Sequence, residues 1–137
     1  MPPLVLGSAE KLLGSENFAA RTVGLAEIAD YYRAADAFVL ASLLEGFGLA
    51  YAEALRHGLP TIAHDFPTTR FVVGEHGYLE DLTKPGALAT ILAGLGEADS
   101  VEKRGRDRHR SVYERFSWNA LAPDYVKMLH AVAGRAS

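Results

Sequence analysis

Along the chain, short aliphatic runs alternate with longer stretches in which apolar residues recur every three or four positions. "PLVLG" (3–7), "FAARTVG" (18–24), "AFVLAS" (37–42), "PTIAHD" (60–65) and "GYLED" (77–81) read as five strands. Between them, "SAEKLLG", "LAEIADYYRAAD" and "GLAYAEALRHG" read as helices, the last stopped by Gly58, while "FPTTRFVVGEHG" reads as turns. A run such as "AFVLAS" has no in–out alternation, which suits a strand covered on both faces. After residue 83 three helices are predicted, over 84–96, 100–116 and 117–132, with Pro85 near the start of the first and Ser117 as N-cap of the last. Pro123 inside the last helix predicts a kink or a late start. Trp118 and Tyr125, at near-helical spacing, read as core. The predicted fold is α/β, a doubly wound, mostly parallel five-stranded sheet of Rossmann-like type with the C-terminal helices packed on it.

Composition narrows the classes without naming one. The 137 residues are 49% hydrophobic and 23% charged, the profile of a single globular domain over 1–137. A formal net charge of -3 gives no overall cationic field, so nucleic acid is not expected as partner. The absence of cysteine rules out thiol catalysis and thiolate metal sites and fits a reducing, cytoplasmic setting. His57, His64, His76, His109 and His130 show no metal-ligand spacing, so no metal is expected. No apolar run approaches the roughly 20 residues a membrane-spanning helix needs.

The chemistry concentrates in "LLEGFGLAYAEALRHGLP" (43–60), where the third strand hands over to a helix. In a parallel α/β sheet, ligands bind at the carboxyl ends of strands, and this segment lies at one. Gly46 and Gly48 permit close approach to the main chain, and the free N–H groups opening the helix favour phosphate. Glu45 and Glu53 repel phosphate and suit hydroxyl donors such as those of sugar or ribose. A plainer reading stands beside this one. Ser42 and Glu45 fit an S-x-x-E capping box, and Glu53 could pair with Arg56 or His57. The glycines at 46 and 48 oppose the box, because they would fall inside the helix that it caps.

"AEIADYYRAADAFVLASLLEGFGLAYAEALRHGLPTIAHD" resembles the C-terminal donor-binding domain of retaining GT-B glycosyltransferases, the group 1, family 4-like enzymes with an E-x7-E signature. The resemblance runs from about Phe18 to "RFSW" at 115–118 and takes in Glu45 and Glu53 at the signature's spacing. It implies half of a GT-B fold that binds a UDP- or GDP-linked sugar and transfers a hexose to an acceptor. By the same resemblance Glu45 lies by the donor sugar with a catalytic contribution. The main chain of Gly46, Phe47, Gly48 and Leu49 approaches sugar and diphosphate, Glu53 accepts from the ribose, and Ser42 is counted with the donor-binding residues. No metal or other cofactor is implied, since helix dipole and basic side chains meet the leaving diphosphate.

The departures from the family pattern carry their own expectations. Ala41 replaces a proline, and Arg70 stands where a glutamate is usual, either as an exposed turn residue or with a role at the site. The family places a further strand, a loop with Arg and Lys, and a whole acceptor domain ahead of this region. The chain is therefore read as a truncated donor domain, inactive alone and completed by an N-terminal GT-B domain or a partner chain. The alternative is a non-catalytic interaction module, or one subunit of a split enzyme. For the sheet, two arrangements remain: strands closed up in the order 2-1-3-4-5, or a central gap filled by another chain. His64 and Asp65 either border the site or cap the strand end. The run "KRGRDRHR" (103–110) is a solvated helix face or, with less support from its interrupting carboxylates, a contact with anionic headgroups at the inner membrane face.

Overall fold

The computed structural model describes Ala19 and residues 21–96 and 99–134. The chain divides into two units, Met1–Tyr31 and Tyr32–Ser137. In the first, the described residues form a turn at Gly24, whose carbonyl accepts from the N–H groups of Glu27 and Ile28 at 3.0 and 3.2 Å, and begin helix α1 (Ile28–Ala34), of which Tyr32–Ala34 belong to the second unit. The expected strand at 3–7 lies outside the described residues. Within 18–24, Ala19 and residues 21–24 carry no strand, which corrects that expectation. "FAARTVG" has strand-like composition, but no described strand pairs with it.

The second unit holds an α/β arrangement with helices packed around a parallel sheet. Among the described residues the sheet has three strands rather than five, β1 (Phe38–Leu40), β2 (Thr61–His64) and β3 (Tyr78–Glu80), in the spatial order β1-β2-β3. Phe38 pairs with Thr61 and Leu40 with Ala63, while Ile62 pairs with Tyr78 and His64 with Glu80. Thr61, Ile62 and Ala63 of the central strand are fully buried, as its unalternating apolar sequence requires.

Helix α2 (Leu49–Arg56) links β1 to β2 and buries Tyr51, Ala52, Ala54 and Leu55. Its end follows from Gly58, whose φ of 81° lets the Gly58 N–H reach Leu55 O at 2.9 Å and the Leu59 N–H reach Ala54 O at 3.1 Å. The segment read as turns is instead a helix, α3 (Pro67–Val73), followed by a 3₁₀ turn at Gly74–His76. Pro67 takes the first helical position, and Thr69 Oγ1 accepts from the Phe66 N–H at 3.0 Å, so the start signal lies in the prolines and threonines that also mark turns. Tyr51, Leu55, Ala63, Val72, Val73 and Val112 form the core.

Three C-terminal helices follow, α4 (Ala87–Gly94), α5 (Val101–Phe116) and α6 (Trp118–Ala133). Ser117 Oγ accepts from the Ala120 N–H at 3.2 Å, the expected N-cap. Helix α6 begins on time and runs through Pro123, so the late start is not observed. Trp118 and Tyr125 are not core: they are 68% and 48% exposed and pack on each other with ring centroids 5.4 Å apart. The basic run of α5 is not wholly solvated either. Arg108 is fully buried, and its guanidinium donates to the carbonyls of Gly58, His76 and Asp99 at 3.1, 3.2 and 2.8 Å. Among the described residues no helix is long and apolar enough to cross a membrane.

Candidate functional site

The loop from Ala41 to Gly48 joins the carboxyl end of β1 to the amino end of α2, and its geometry is fixed by Tyr51. That side chain is fully buried, and its hydroxyl donates to Leu40 O at 3.1 Å, tying the first turn of the helix to the strand it follows. Gly48 is the N-cap residue at φ 76° and ψ 58°, the left-handed region. A Cβ there would also lie 2.4 Å from Tyr51 Cδ2, so both backbone and packing demand glycine. At Gly46 a Cβ would meet nothing within 4 Å; the space above that residue is open. No side chain caps the helix and its first turn holds no acidic residue, which leaves the positive end of α2 facing the loop.

Ser42 and Glu45 are half-buried in this loop, seven and four residues ahead of the helix. The capping-box alternative therefore fails, because no helix begins behind Ser42. The Glu45 carboxylate lies close enough to Tyr51 to raise that phenol's pKa, second to the effect of burial. Glu53, one turn into α2, accepts from the Tyr32 hydroxyl at 3.0 Å, and its carboxylate also acts on His57, whose pKa it raises against the larger lowering effects. Burial first, and the Glu53 carboxylate second, push the Tyr32 phenol up to about 12. Tyr32 itself is stacked on His57, ring centroids 5.2 Å apart and 13° from parallel. The His57 imidazole is shifted down by burial and by the cations Arg33 and Arg56.

Phe47, Leu49 and Glu53 come together on a cavity of about 530 Å³ completed by Phe71, Arg115 and Phe116. Ser42, Glu45, Gly46 and Gly48 lie outside that cavity, so the structure separates the expected residues into a loop group and a cavity group. The Phe47 side chain packs edge-on against Phe116 at 5.2 Å. Arg115 sits over the Phe116 ring at 4.5 Å and donates to the Phe71 and Val72 carbonyls. Sequence reasoning passed over Arg115 and Tyr32. The first marked only the end of the resembling region, and the second sat in a helix read for its periodicity.

His64, Asp65 and Arg70 have structural partners. His64 Nδ1 accepts from the Leu82 N–H at 3.2 Å. Arg70 grips Asp65 in a two-pronged pair, Nε to Oδ1 at 2.5 Å and Nη2 to Oδ2 at 2.7 Å, and the guanidinium holds the Asp65 carboxyl below its ordinary range. Arg70 is thus an exposed helix residue rather than a turn residue. Among the described residues no group of three or more His, Asp or Glu side chains is placed to hold a metal.

The pattern described as "Glycosyl transferases group 1" matches residues 7–97, well over half of the chain. The chain belongs to the group 1 glycosyltransferase family. A D-inositol 3-phosphate glycosyltransferase of Xylanimonas cellulosilytica is 37% identical over 97 residues, covering 69% of this chain and 23% of that protein. An MMP alpha-(1->4)-mannosyltransferase of Mycolicibacterium hassiacum is 30% identical over 140 residues, covering 96% and 34% respectively. A GDP-mannose:cellobiosyl-diphosphopolyprenol alpha-mannosyltransferase of Komagataeibacter xylinus is 34% identical over 118 residues, covering 81% and 29%. The chain thus spans between 23% and 34% of the length of these relatives. Within the group 1 glycosyltransferase match fall β1, the loop, α2 and β2, that is, every residue of the candidate site except Val112, Arg115, Phe116 and Leu121 of the cavity wall.

Proposed function

We propose that this chain is the nucleotide-diphosphate-sugar binding part of a retaining glycosyltransferase, which transfers a hexose when an acceptor-binding part is joined to it. One observation carries the reading: the uncapped, acid-free start of α2 at a left-handed Gly48, beside open space at Gly46 and the half-buried Glu45. Main-chain N–H groups and the helix dipole suit a diphosphate, and a carboxylate at the edge of such a site suits sugar hydroxyls. In this reading the positive end of α2, and not a metal ion, meets the leaving group. The bond from the sugar's anomeric carbon to the diphosphate oxygen breaks as the bond to the acceptor oxygen forms on the same face. The acceptor's proton passes to the departing phosphate. Glu45 accepts from donor-sugar hydroxyls and Glu53 from the ribose diol. A name among the relatives specifies a GDP-linked donor, which supports a nucleotide sugar as ligand without choosing the base here.

Calorimetry with UDP, GDP, UDP-glucose and GDP-mannose tests this. Saturable binding is expected for at least one of them, weakened about tenfold or more by Glu53→Ala, as loss of a hydrogen bond to a charged group implies. No binding to any of the four, or binding indifferent to Glu53→Ala, overturns the reading. A second reading, an interaction module that keeps the fold, draws on the exposed apolar side chains of α6, among them Trp118, Leu129 and Val132. It predicts association without nucleotide affinity.

A further inference from the structure

We propose that Tyr32 is a positioning residue of the nucleotide site, fixing the Glu53 carboxylate by a hydrogen bond from α1 so that it is pre-set to accept from a vicinal diol. The inference rests on the donor-site reading and adds to it a residue that neither the E-x7-E spacing nor the glycine loop contains.

Tyr32 and Glu53 are 21 positions apart, on two helices that flank β1. Glu53 is exposed, and a solvent-facing glutamate on a helix ordinarily samples several rotamers. Here one oxygen, Oε2, is held at 3.0 Å by the Tyr32 hydroxyl. The phenol is in turn held by its ring, stacked on His57 at 5.2 Å and tilted against Phe38 at 5.9 Å, in a residue only 8% exposed. Phe38 is in β1 and His57 closes α2, so the ring is wedged between the strand that leads to the loop and the helix that carries Glu53. The buried ring thus transfers the rigidity of the sheet to an exposed carboxylate.

A carboxylate accepts about four hydrogen bonds, and Tyr32 takes one of them. Oε1 and the second position on Oε2 remain for the two hydroxyls of a ribose. A bond already formed before ligand arrives removes the entropy of ordering Glu53 from the cost of binding. The hydroxyl keeps its proton throughout the ordinary pH range, because burial and the carboxylate beside it push its pKa up to about 12. Tyr32 therefore acts as a donor at any pH at which binding would be measured.

The test compares GDP and UDP with their 2′,3′-dideoxy counterparts on the whole chain, wild type and Tyr32→Phe, by calorimetry. Tyr32→Phe keeps the ring against His57 and Phe38 and removes only the donor. The expected result is a loss of about threefold to tenfold in affinity for whichever ribonucleotide binds, with the dideoxy compound unchanged. In a Glu53→Ala background Tyr32→Phe should then have no further effect. Equal losses for both compounds would show a merely structural role, and unchanged or tighter ribonucleotide binding would show no positioning; either overturns the inference while leaving the donor site intact. If wild type binds no nucleotide, or Glu53→Ala changes nothing, the donor-site reading fails and this inference falls with it. Should Tyr32→Phe not fold, 4-aminophenylalanine and 4-methylphenylalanine at position 32 restore bulk at the ring tip, the first with an N–H donor and the second without. Preference for the ribonucleotide should be about threefold to tenfold greater in the first than in the second, and equal preference in both overturns the inference.

Discussion

Gly46 and Gly48 look alike in the sequence, two glycines bracketing a phenylalanine, yet the structure gives them opposite reasons. Gly48 is needed by the protein: its φ of 76° and the Tyr51 ring 2.4 Å from any Cβ both exclude a side chain. Gly48→Ala should destabilise the fold by at least about 1–2 kcal/mol for the left-handed backbone alone, read as a lower denaturation midpoint at constant slope. Gly46 is not needed by the protein, since a Cβ there meets nothing. Gly46→Ala should leave stability within about 0.5 kcal/mol and, on the donor-site reading proposed above, weaken nucleoside diphosphate binding; unchanged binding would count against that reading at this residue. The motif was thus legible in the sequence as a unit, but the division of labour inside it was not, because it depends on where the Tyr51 ring falls. Tyr32 escaped the sequence reading for the same reason: its partner is 21 positions away. Its folded-state pKa of about 12 against 10.0 unfolded means that the folded chain holds its proton more tightly, so the contribution of Tyr32 to stability is complete below pH 10 and is lost as pH rises towards 12. Thermal unfolding midpoints should decline more steeply across that window in wild type than in Tyr32→Phe.

At the scale of elements, the sequence was most informative where start and stop signals were unambiguous. Helix α2 was readable from its apolar spacing and Gly58, and α6 from Ser117, whose side chain does accept from the N–H three residues on, as the unremarked Ser100 does at the start of α5. Helix α3 was read as turns because proline and paired threonines open helices as well as turns, and only the Thr69 hydroxyl bonded to Phe66 decides between them. The strand expected at 18–24, not found among its described residues, shows the converse limit, since a strand exists only by pairing and pairing is not a local property. Helix α6 corrects the periodicity argument itself. Its apolar spacing is that of a buried helix, yet Tyr125, Val126, Met128, Leu129 and Val132 are between 48% and 64% exposed, and none of its described residues is buried. Leu129→Ser and Val132→Ser should therefore leave the unfolding free energy within about 0.5 kcal/mol of wild type, where core leucines and valines would lose several times as much. Chemical denaturation monitored by circular dichroism decides this.

Across the second unit, Arg108 joins segments that lie far apart in the chain. Its donors reach Gly58 at the end of α2, His76 in the turn before β3 and Asp99 ahead of α5, so one side chain fastens three connections that the sheet alone does not hold together. Asp99 also pairs with Arg104 at 3.0 Å, and its carboxyl is held below its ordinary range chiefly by a hydrogen bond from Tyr78. The sequence hid this because "KRGRDRHR" reads as a charged, solvated face. The signal that was present is the stripe Gly105, Arg108, Val112, all buried at helical spacing, with Arg108 inside it. Gly105 belongs to the same joint: a Cβ on Gly58 would come within 2.9 Å of its Cα, so α5 packs against the end of α2 almost backbone to backbone. Replacing Arg108 with methionine preserves much of the buried hydrocarbon but leaves three carbonyls without their donor, a loss of roughly 1–3 kcal/mol for the buried Gly58 carbonyl and less for the part-buried His76 and Asp99 carbonyls. Arg108→Met should therefore destabilise by about 1–3 kcal/mol. Arg108→Lys should recover less than half of that, because a single ammonium cannot span carbonyls that a planar fork reaches together. Equilibrium unfolding of the two variants beside wild type checks both values. An equal stability for lysine and arginine would mean that the charge, and not the reach of the guanidinium, is what holds the three connections.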